Sequence, residues 1–217
     1  VDDHPPIARL VKATVIFDTT VARYFAAIGE CGALRRAFPR ALITTGVLRE
    51  LQLAQRPVEA AGGDLGPLLD EPAWAEVLEL TGPQIVDVEQ LRLAFHDPEE
   101  LLARATTDLG EFETIVGAQL RGGLPIVIED ARGAGVARGR GLACYQAIHV
   151  CMIAAIRGLI EPPESWAMYG RLLEAGLKPR NPDRVAFRDD VRSDYLAIVG
   201  AAMDVVRGRR QRKLGGD

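Results

Sequence analysis

Cysteine is scarce in this chain. Cys31, Cys144 and Cys151 are odd in number and form no Cys-x-x-Cys pair, which argues against a disulfide framework and a thiolate zinc site. Such usage fits a reducing cytoplasm. Long apolar runs are missing too: nothing approaches the roughly 20 residues that a membrane helix needs, so no membrane partner is expected. The opening residues Val1-Asp2-Asp3-His4-Pro5-Pro6 lack the basic-then-apolar order of an export signal. There is no Gly-x-x-x-x-Gly-Lys-Ser/Thr loop to cradle a nucleotide phosphate. His4, His96 and His149 stand far apart without the i, i+4 spacing of a histidine metal site, so surface or core roles are expected for them. Trp74 and Trp166 are read as packing residues. No internal repeat and no low-complexity tract is present.

What the chain does have is enough apolar matter for a core. Its 217 residues are 48% hydrophobic, sufficient for one domain without staples. The net charge of −4 excludes a generic polyanion binder, but the charges are unevenly spread. Acids dominate residues 59 to 113, whereas Arg132, Arg138 and Arg140 follow the last acidic cluster and Arg207, Arg209, Arg210, Arg212 and Lys213 crowd the tail. A local basic rim can recruit phosphate on an acidic protein. A solvated surface and tail is the plainer reading of the same charges.

Strand-like runs fall near residues 14–18, 41–44, 85–88, 124–129 and 142–145, with helix-like stretches in most gaps. The alternation predicts a parallel α/β sheet with helices on both faces. One helix is expected from about Gly46 to Gln55 behind Thr44 or Thr45 as cap, and another from Gly110 to Leu120. Residues 56–84, rich in Pro and Gly, read as a short helical excursion broken by turns. After Pro162-Pro163, helices are expected over residues 164–175 and about 190–207, separated by the turn Lys178-Pro179-Arg180-Asn181-Pro182. They either pack on the sheet or form an arm for a partner.

Acids recur at telling places. Asp18 ends the run Ala13-Thr14-Val15-Ile16-Phe17, and Glu129-Asp130 end Leu124-Pro125-Ile126-Val127-Ile128. Ligands of open parallel sheets bind beyond the carboxyl ends of strands. Glu50 lies on the first helix, and Glu111 shares a stripe with Ile115 and Ala118 on the second, where an unpartnered carboxylate is costly. Each acid also has a plainer reading: Asp18 as a helix cap, Glu50 as an exposed helix residue, Glu111 as a complement to the helix dipole, Glu129-Asp130 as a turn. Jointly they read as a carboxylate pocket. Two like charges about 4 Å apart cost roughly 4 kcal/mol at an effective dielectric near 20, so such a cluster raises its own pKa values or binds a cation. Oxygen-only ligation selects Mg²⁺ or Mn²⁺ over zinc, and hydrolysis of a nucleic-acid phosphodiester is the natural use.

Phe17-Asp18-Thr19-Thr20, Thr44-Thr45-Gly46-Val47-Leu48-Arg49-Glu50-Leu51, Asp108-Leu109-Gly110-Glu111-Phe112-Glu113-Thr114-Ile115 and Ile128-Glu129-Asp130-Ala131-Arg132, in that order, resemble the PIN-domain nucleases. More narrowly they resemble a prokaryotic subfamily with a Gly-Glu-x-Glu-x-Ile third-acid motif. The likeness runs on through Val136-Ala137-Arg138, Gly141-Leu142 and Ala154-Ala155-Ile156-Arg157-Gly158-Leu159-Ile160. It implies a three-layer α/β/α domain over residues 12–178 with a mostly parallel sheet of four or five strands. Residues 179–217 would be a C-terminal helical extension with a basic tail. The resemblance further implies a Mg²⁺- or Mn²⁺-dependent ribonuclease acting on RNA, often the toxin partner of an antitoxin protein, with a homodimer as a plausible assembly. Carried over, Asp18, Glu50, Glu111 and Asp130 are the catalytic and metal-pocket acids, with Glu129 exchangeable with Asp130 as a ligand. Thr19, Arg132 and Arg138 are the expected substrate contacts. Asp108 and Glu113 rank second: Glu113 should point away from Glu111 in a continuous helix, while Asp108 either lies on its side or caps the helix.

There is one departure. Where the subfamily usually carries a Thr-Gly-Thr-like stretch, this chain has Tyr145-Gln146-Ala147, which keeps open an RNA-binding or protein-interaction module without turnover. Phe17-Asp18-Thr19-Thr20 also resembles the opening motif of haloacid-dehalogenase phosphatases. That family requires a second acid where Thr20 stands.

Overall fold

A computed structural model describes residues 7–69, 74–96, 99, 108–179 and 189–214. His4, Glu71-Pro72 and Arg180-Asn181-Pro182 lie outside the described residues, as do the side chains of Arg209, Arg210, Arg212 and Lys213. Five parallel strands form one sheet in the order β3-β2-β1-β4-β5: β1 Val15–Phe17, β2 Ala41–Thr44, β3 Ala75–Leu78, β4 Ile126–Val127 and β5 Cys144–Tyr145. Ile16 is in register with Leu42 on one side and Ile126 on the other. The central strand β1 is buried on both faces, as a sheet covered by two helix layers demands.

Alternation along the strands sorts the core into two clusters. Val15, Phe17, Ala41 and Ile43 face the first, while Ile16 and Leu42 face the second, because successive side chains point to opposite faces. The first face is covered by α2 Thr19–Ala27, α3 Cys31–Ala37, α4 Thr45–Ala60, α9 Ala147–Ile156 and α10 Pro162–Glu174, together with α1 Ile7–Leu10 and α11 Asp189–Leu214. On the second face lie α6 Gly82–Phe95, α7 Leu109–Leu120 and α8 Ala131–Gly139. The short α5, Gly66–Leu69, follows α4. The result is a three-layer α/β/α arrangement.

Two local expectations need correction. Residues 85–88 form no strand: Ile85, Val86 and Val88 lie inside α6. Thr81 starts that helix, its amide donating to Gln84 Oε1 at 3.0 Å, with Pro83 in the first turn. This reciprocal start signal outweighs the β-branched run. The missing strand is instead β3, inside the stretch read as broken helix. Its Glu76 and Val77 are exposed because β3 is an edge strand, so no continuous apolar run marks it.

The C-terminal helices pack rather than project over their first part. Tyr195, Val199 and Ala202 of α11 belong to the first core cluster, and Tyr195 Oη lies 2.8 Å from Ser165 Oγ on α10. On the second face, Arg140 behind α8 makes a two-pronged contact with Asp87 of α6, at 3.0 and 3.1 Å, and donates to Gln119 of α7 at 2.6 Å. Those contacts tie the three helices that carry or flank the acids. Cys31, Cys144 and Cys151 are all buried free thiols, and no described helix is long and apolar enough to cross a membrane.

Candidate active site

The chain runs outward from β1 through β2 to β3, then returns to place β4 on the other side of β1. At such a switch point the loops after β1 and β4 diverge and leave a crevice. Asp18 follows β1, and its amide donates to Val127 O of β4 at 3.0 Å. Its Oδ2 accepts from Thr20 N at 3.3 Å, capping α2. Capping does not use up this carboxylate. Asp18 is buried, and burial followed by repulsion from Glu50 pushes its pKa up to about 6.

Thr44 caps α4 through Val47 N and thereby sets where Glu50, in the second turn, projects. Glu50 is fastened at both oxygens: Thr19 Oγ1 donates to Oε2 at 2.5 Å and Gly110 N donates to Oε1 at 2.9 Å. The second contact needs a glycine, since a Cβ on residue 110 would stand 2.9 Å from both Glu50 oxygens. Glu111, the next residue of α7, is 7% exposed, and its Oε1 has no hydrogen-bond partner among the described residues. It packs over the first turn of α8, where a Cβ on Gly133 would fall 2.3 Å from its carboxyl carbon. Burial, then Asp18, Asp130 and Asp108, raise its pKa to about 9 against the opposing pull of Arg132.

Asp130 caps α8, its Oδ1 accepting from Arg132 N and Gly133 N at 2.8 Å each. Glu129 turns elsewhere. Its Oε1 accepts from Ala147 N at 2.5 Å and its Oε2 from Gln146 Nε2 at 3.1 Å, at the start of α9. Gln146, the middle residue of the Tyr145-Gln146-Ala147 stretch, thus holds an acid rather than facing the crevice.

Asp18, Glu50, Asp108 and Glu111 floor a cleft of about 460 Å³, flanked by Thr19, Thr20 and Arg23 of α2 and by Leu53, Ala54 and Pro57 of α4. Asp130 and Glu129 are not in that lining. Asp108 adopts a left-handed backbone, φ 55°, just ahead of α7. Its Oδ2 accepts from Arg132 Nη2 at 2.5 Å and lies 2.9 Å from His96 Nε2. Arg132 is therefore half-exposed beside the cleft, while Arg138 folds back on its own helix, Nε donating to Ala134 O at 3.1 Å. Glu113 points away from Glu111, as its helical position predicts, and accepts from Gly46 N at 2.7 Å. His149 is an internal acceptor, its Nδ1 taking Gln146 N at 3.0 Å. Trp166 packs with Tyr169 and Tyr195. Arg23, Leu53 and Pro57 carried no signal in the sequence beyond helical spacing from Thr19 and Glu50.

The donor chemistry fits a hard divalent cation. The converging groups are carboxylates and hydroxyls, one buried carboxylate oxygen is orphaned, and two acids are held against their own ionisation, a burden that a cation removes. The fit is one of chemistry rather than of an assembled shell: among the described residues no three His, Cys, Asp or Glu side chains are already gathered as a ligand set.

A family model described as a PIN domain matches residues 14–169. Comparison with curated proteins and with solved structures finds no match. The matched span, well over half of the chain, runs from β1 into α10 and takes in every acid described above, so the chain belongs to the PIN-domain family, whose members are generally nucleases working with divalent metals.

Proposed function

We propose that this protein is a divalent-metal-dependent endoribonuclease that hydrolyses RNA phosphodiester bonds. The observation that carries the reading is Glu111: a buried carboxylate with an orphaned oxygen, facing Asp18 across the switch-point crevice, its pKa pushed to about 9. A carboxylate so placed is poorly built for stability and well built to exchange its proton for a cation. In this reading Asp18, Glu50, Glu111 and Asp130 hold Mg²⁺ or Mn²⁺. The bound ion supplies Lewis acidity toward a phosphoryl oxygen and eases deprotonation of water.

The remaining work falls to side chains of this chain. Thr19 fixes the rotamer of Glu50 through its 2.5 Å hydrogen bond. Asp108 positions Arg132, whose exposed guanidinium is free to meet an RNA phosphate on its outer edge while its inner edge stays paired. Glu111 carries its own proton until the cation arrives. Glu129 has a structural part, since both oxygens serve the start of α9.

The test is cleavage of a mixed single-stranded and structured RNA pool by metal-stripped protein, with Mg²⁺ or Mn²⁺ restored, beside Asp18→Asn. Asparagine keeps an acceptor for Thr20 N, so the fold should survive while metal-dependent cleavage is lost by at least the roughly 100-fold that follows loss of outer ligand partners. Cleavage that persists in the variant overturns the assignment of Asp18. A second reading, an RNA-binding or protein-interaction module without turnover, draws on the fastening of Glu50 and Asp130 to protein donors; RNA binding indifferent to Mn²⁺, with no cleavage, favours it. In the toxin form of the reading, an antitoxin partner relieves growth arrest caused by expression of this chain.

A further inference from the structure

The cleft has a second half that the acids do not explain. α2 and α4 lie side by side, and their facing stripes continue the groove away from the acid floor. Arg23 stands one helical turn beyond Thr19, about 6 Å along the axis. It lines the cleft, is exposed, and makes no hydrogen bond or ion pair among the described residues. Every other charged group lining that cleft is an acid. On the α4 side of the cleft, Leu53 is 68% exposed, the largest exposure among the described large hydrophobic residues. Ala54 and Pro57 continue its surface along the same stripe as Glu50.

Pro57 adds a polar handle. It lies inside α4 and has no N–H, so the carbonyl of Leu53, four residues earlier, lacks its usual helical donor. An apolar lip, a backbone acceptor and a cation without a partner among the described residues thus lie together, one or two turns from the acids.

We propose that this half of the cleft is a nucleotide subsite for the unpaired residue of an RNA strand adjoining the scissile phosphate. Arg23 takes the neighbouring phosphate, the base lies against Leu53, Ala54 and Pro57, and the Leu53 carbonyl accepts from a base amino group or a ribose hydroxyl. Charge selects this occupant. An acidic peptide would meet the acid floor, and a basic one would be drawn to that floor and leave Arg23 and the lip unused, whereas a nucleotide brings an anion for Arg23 and an apolar face for the lip. Only an unstacked base can reach the lip.

The inference rests on the nuclease reading for which phosphate is cut, but binding and cleavage test the two separately. The affinity of a short fluorescent single-stranded RNA is measured in EDTA over a range of salt, for the wild type, Arg23→Ala and Leu53→Ser; cleavage by all three is then followed with Mg²⁺ or Mn²⁺ restored. Both side chains are exposed, so melting temperatures should match the wild type. Arg23→Ala should bind roughly tenfold more weakly and lower the slope of log K against log salt by about 0.7. Leu53→Ser should weaken binding roughly fivefold with no change in slope. Wild-type affinity in both variants overturns the subsite even if the protein cleaves RNA, and so does a loss confined to Arg23→Ala, which would mean a bare phosphate contact. Binding losses as stated in a protein that never cleaves would uphold the subsite and overturn the nuclease reading.

Discussion

Replacing Glu111 by glutamine should make the metal-free protein more stable and leave it unresponsive to metal. The carboxyl is buried, and its pKa is about 9 against an ordinary 4.5. Between pH 4.5 and 9 the folded chain therefore holds a proton that the unfolded chain releases, and stability falls as pH rises through that window. Below the window both states are protonated and the penalty vanishes. At pH 7 about 2.5 pH units of it have accumulated, which at ~1.36 kcal/mol each gives about 3 kcal/mol. Glutamine has the shape of the protonated acid and no proton to lose. The variant should therefore match the wild type near pH 4.5 and exceed it by about 3 kcal/mol at pH 7. Metal nearly closes that gap at pH 7: an ion at a hundredfold excess over its Kd stabilises the wild type by about 2.7 kcal/mol and the variant hardly at all. Urea unfolding from about pH 5 to about pH 8.5, in EDTA and in Mn²⁺, measures both gaps. A gap that does not grow with pH would refute the burial argument, and a wild type indifferent to Mn²⁺ would refute the role of these carboxylates as ligands.

Three further substitutions probe the frame of the site. Gly133→Ala sets about 1 kcal/mol of helix propensity against overpacking of about 1–3 kcal/mol, and the Cβ placed 2.3 Å from the Glu111 carboxyl decides it: stability should drop in urea and metal-dependent cleavage should fall with it. Glu113→Ala removes the acceptor for Gly46 N and should cost about 1 kcal/mol, while cleavage by the folded fraction persists; a loss of cleavage as large as that of Asp18→Asn would show that the two glutamates of α7 share one task. Thr81→Ala should cost about 1 kcal/mol by unmaking the start of α6, read as faster hydrogen exchange of its first-turn amides.

How legible the fold was depended on whether a strand is central or peripheral. β1, β2 and β4 are covered on both faces, so Val15-Ile16-Phe17, Ala41-Leu42-Ile43 and Ile126-Val127-Ile128 had to be apolar throughout, and they stand out in the chain. β3 is an edge strand, free to carry Glu76 toward solvent, and its short run disappears among prolines and glycines. The error over residues 85–88 has the same origin reversed. α6 exposes Ile85 and Val86, and apolar residues on its outer surface obscure the helical period that would have identified it.

The site was legible where an acid sits at a strand end, because topology alone brings such positions together. Asp18 and Asp130 flank the crevice between β1 and β4 for that reason. Glu129 and Asp130 are adjacent in sequence, and only the geometry separates them: one caps α8 within reach of Glu111, and the other serves α9 on the far side. The glycines tell more than they did in isolation. Gly110 belongs to the Gly-Glu motif and Gly133 carries no signal in the sequence, yet each is the place where a helix turn lets a carboxylate approach closer than a Cβ permits. The pattern Gly-Glu therefore encodes two contacts at once: Gly110 receives Glu50, and Glu111 crosses to Gly133. A substitution at either glycine should thus act on the acids across the cleft rather than on its own helix, and this is why Gly133→Ala is expected to reduce cleavage more than its effect on α8 would account for.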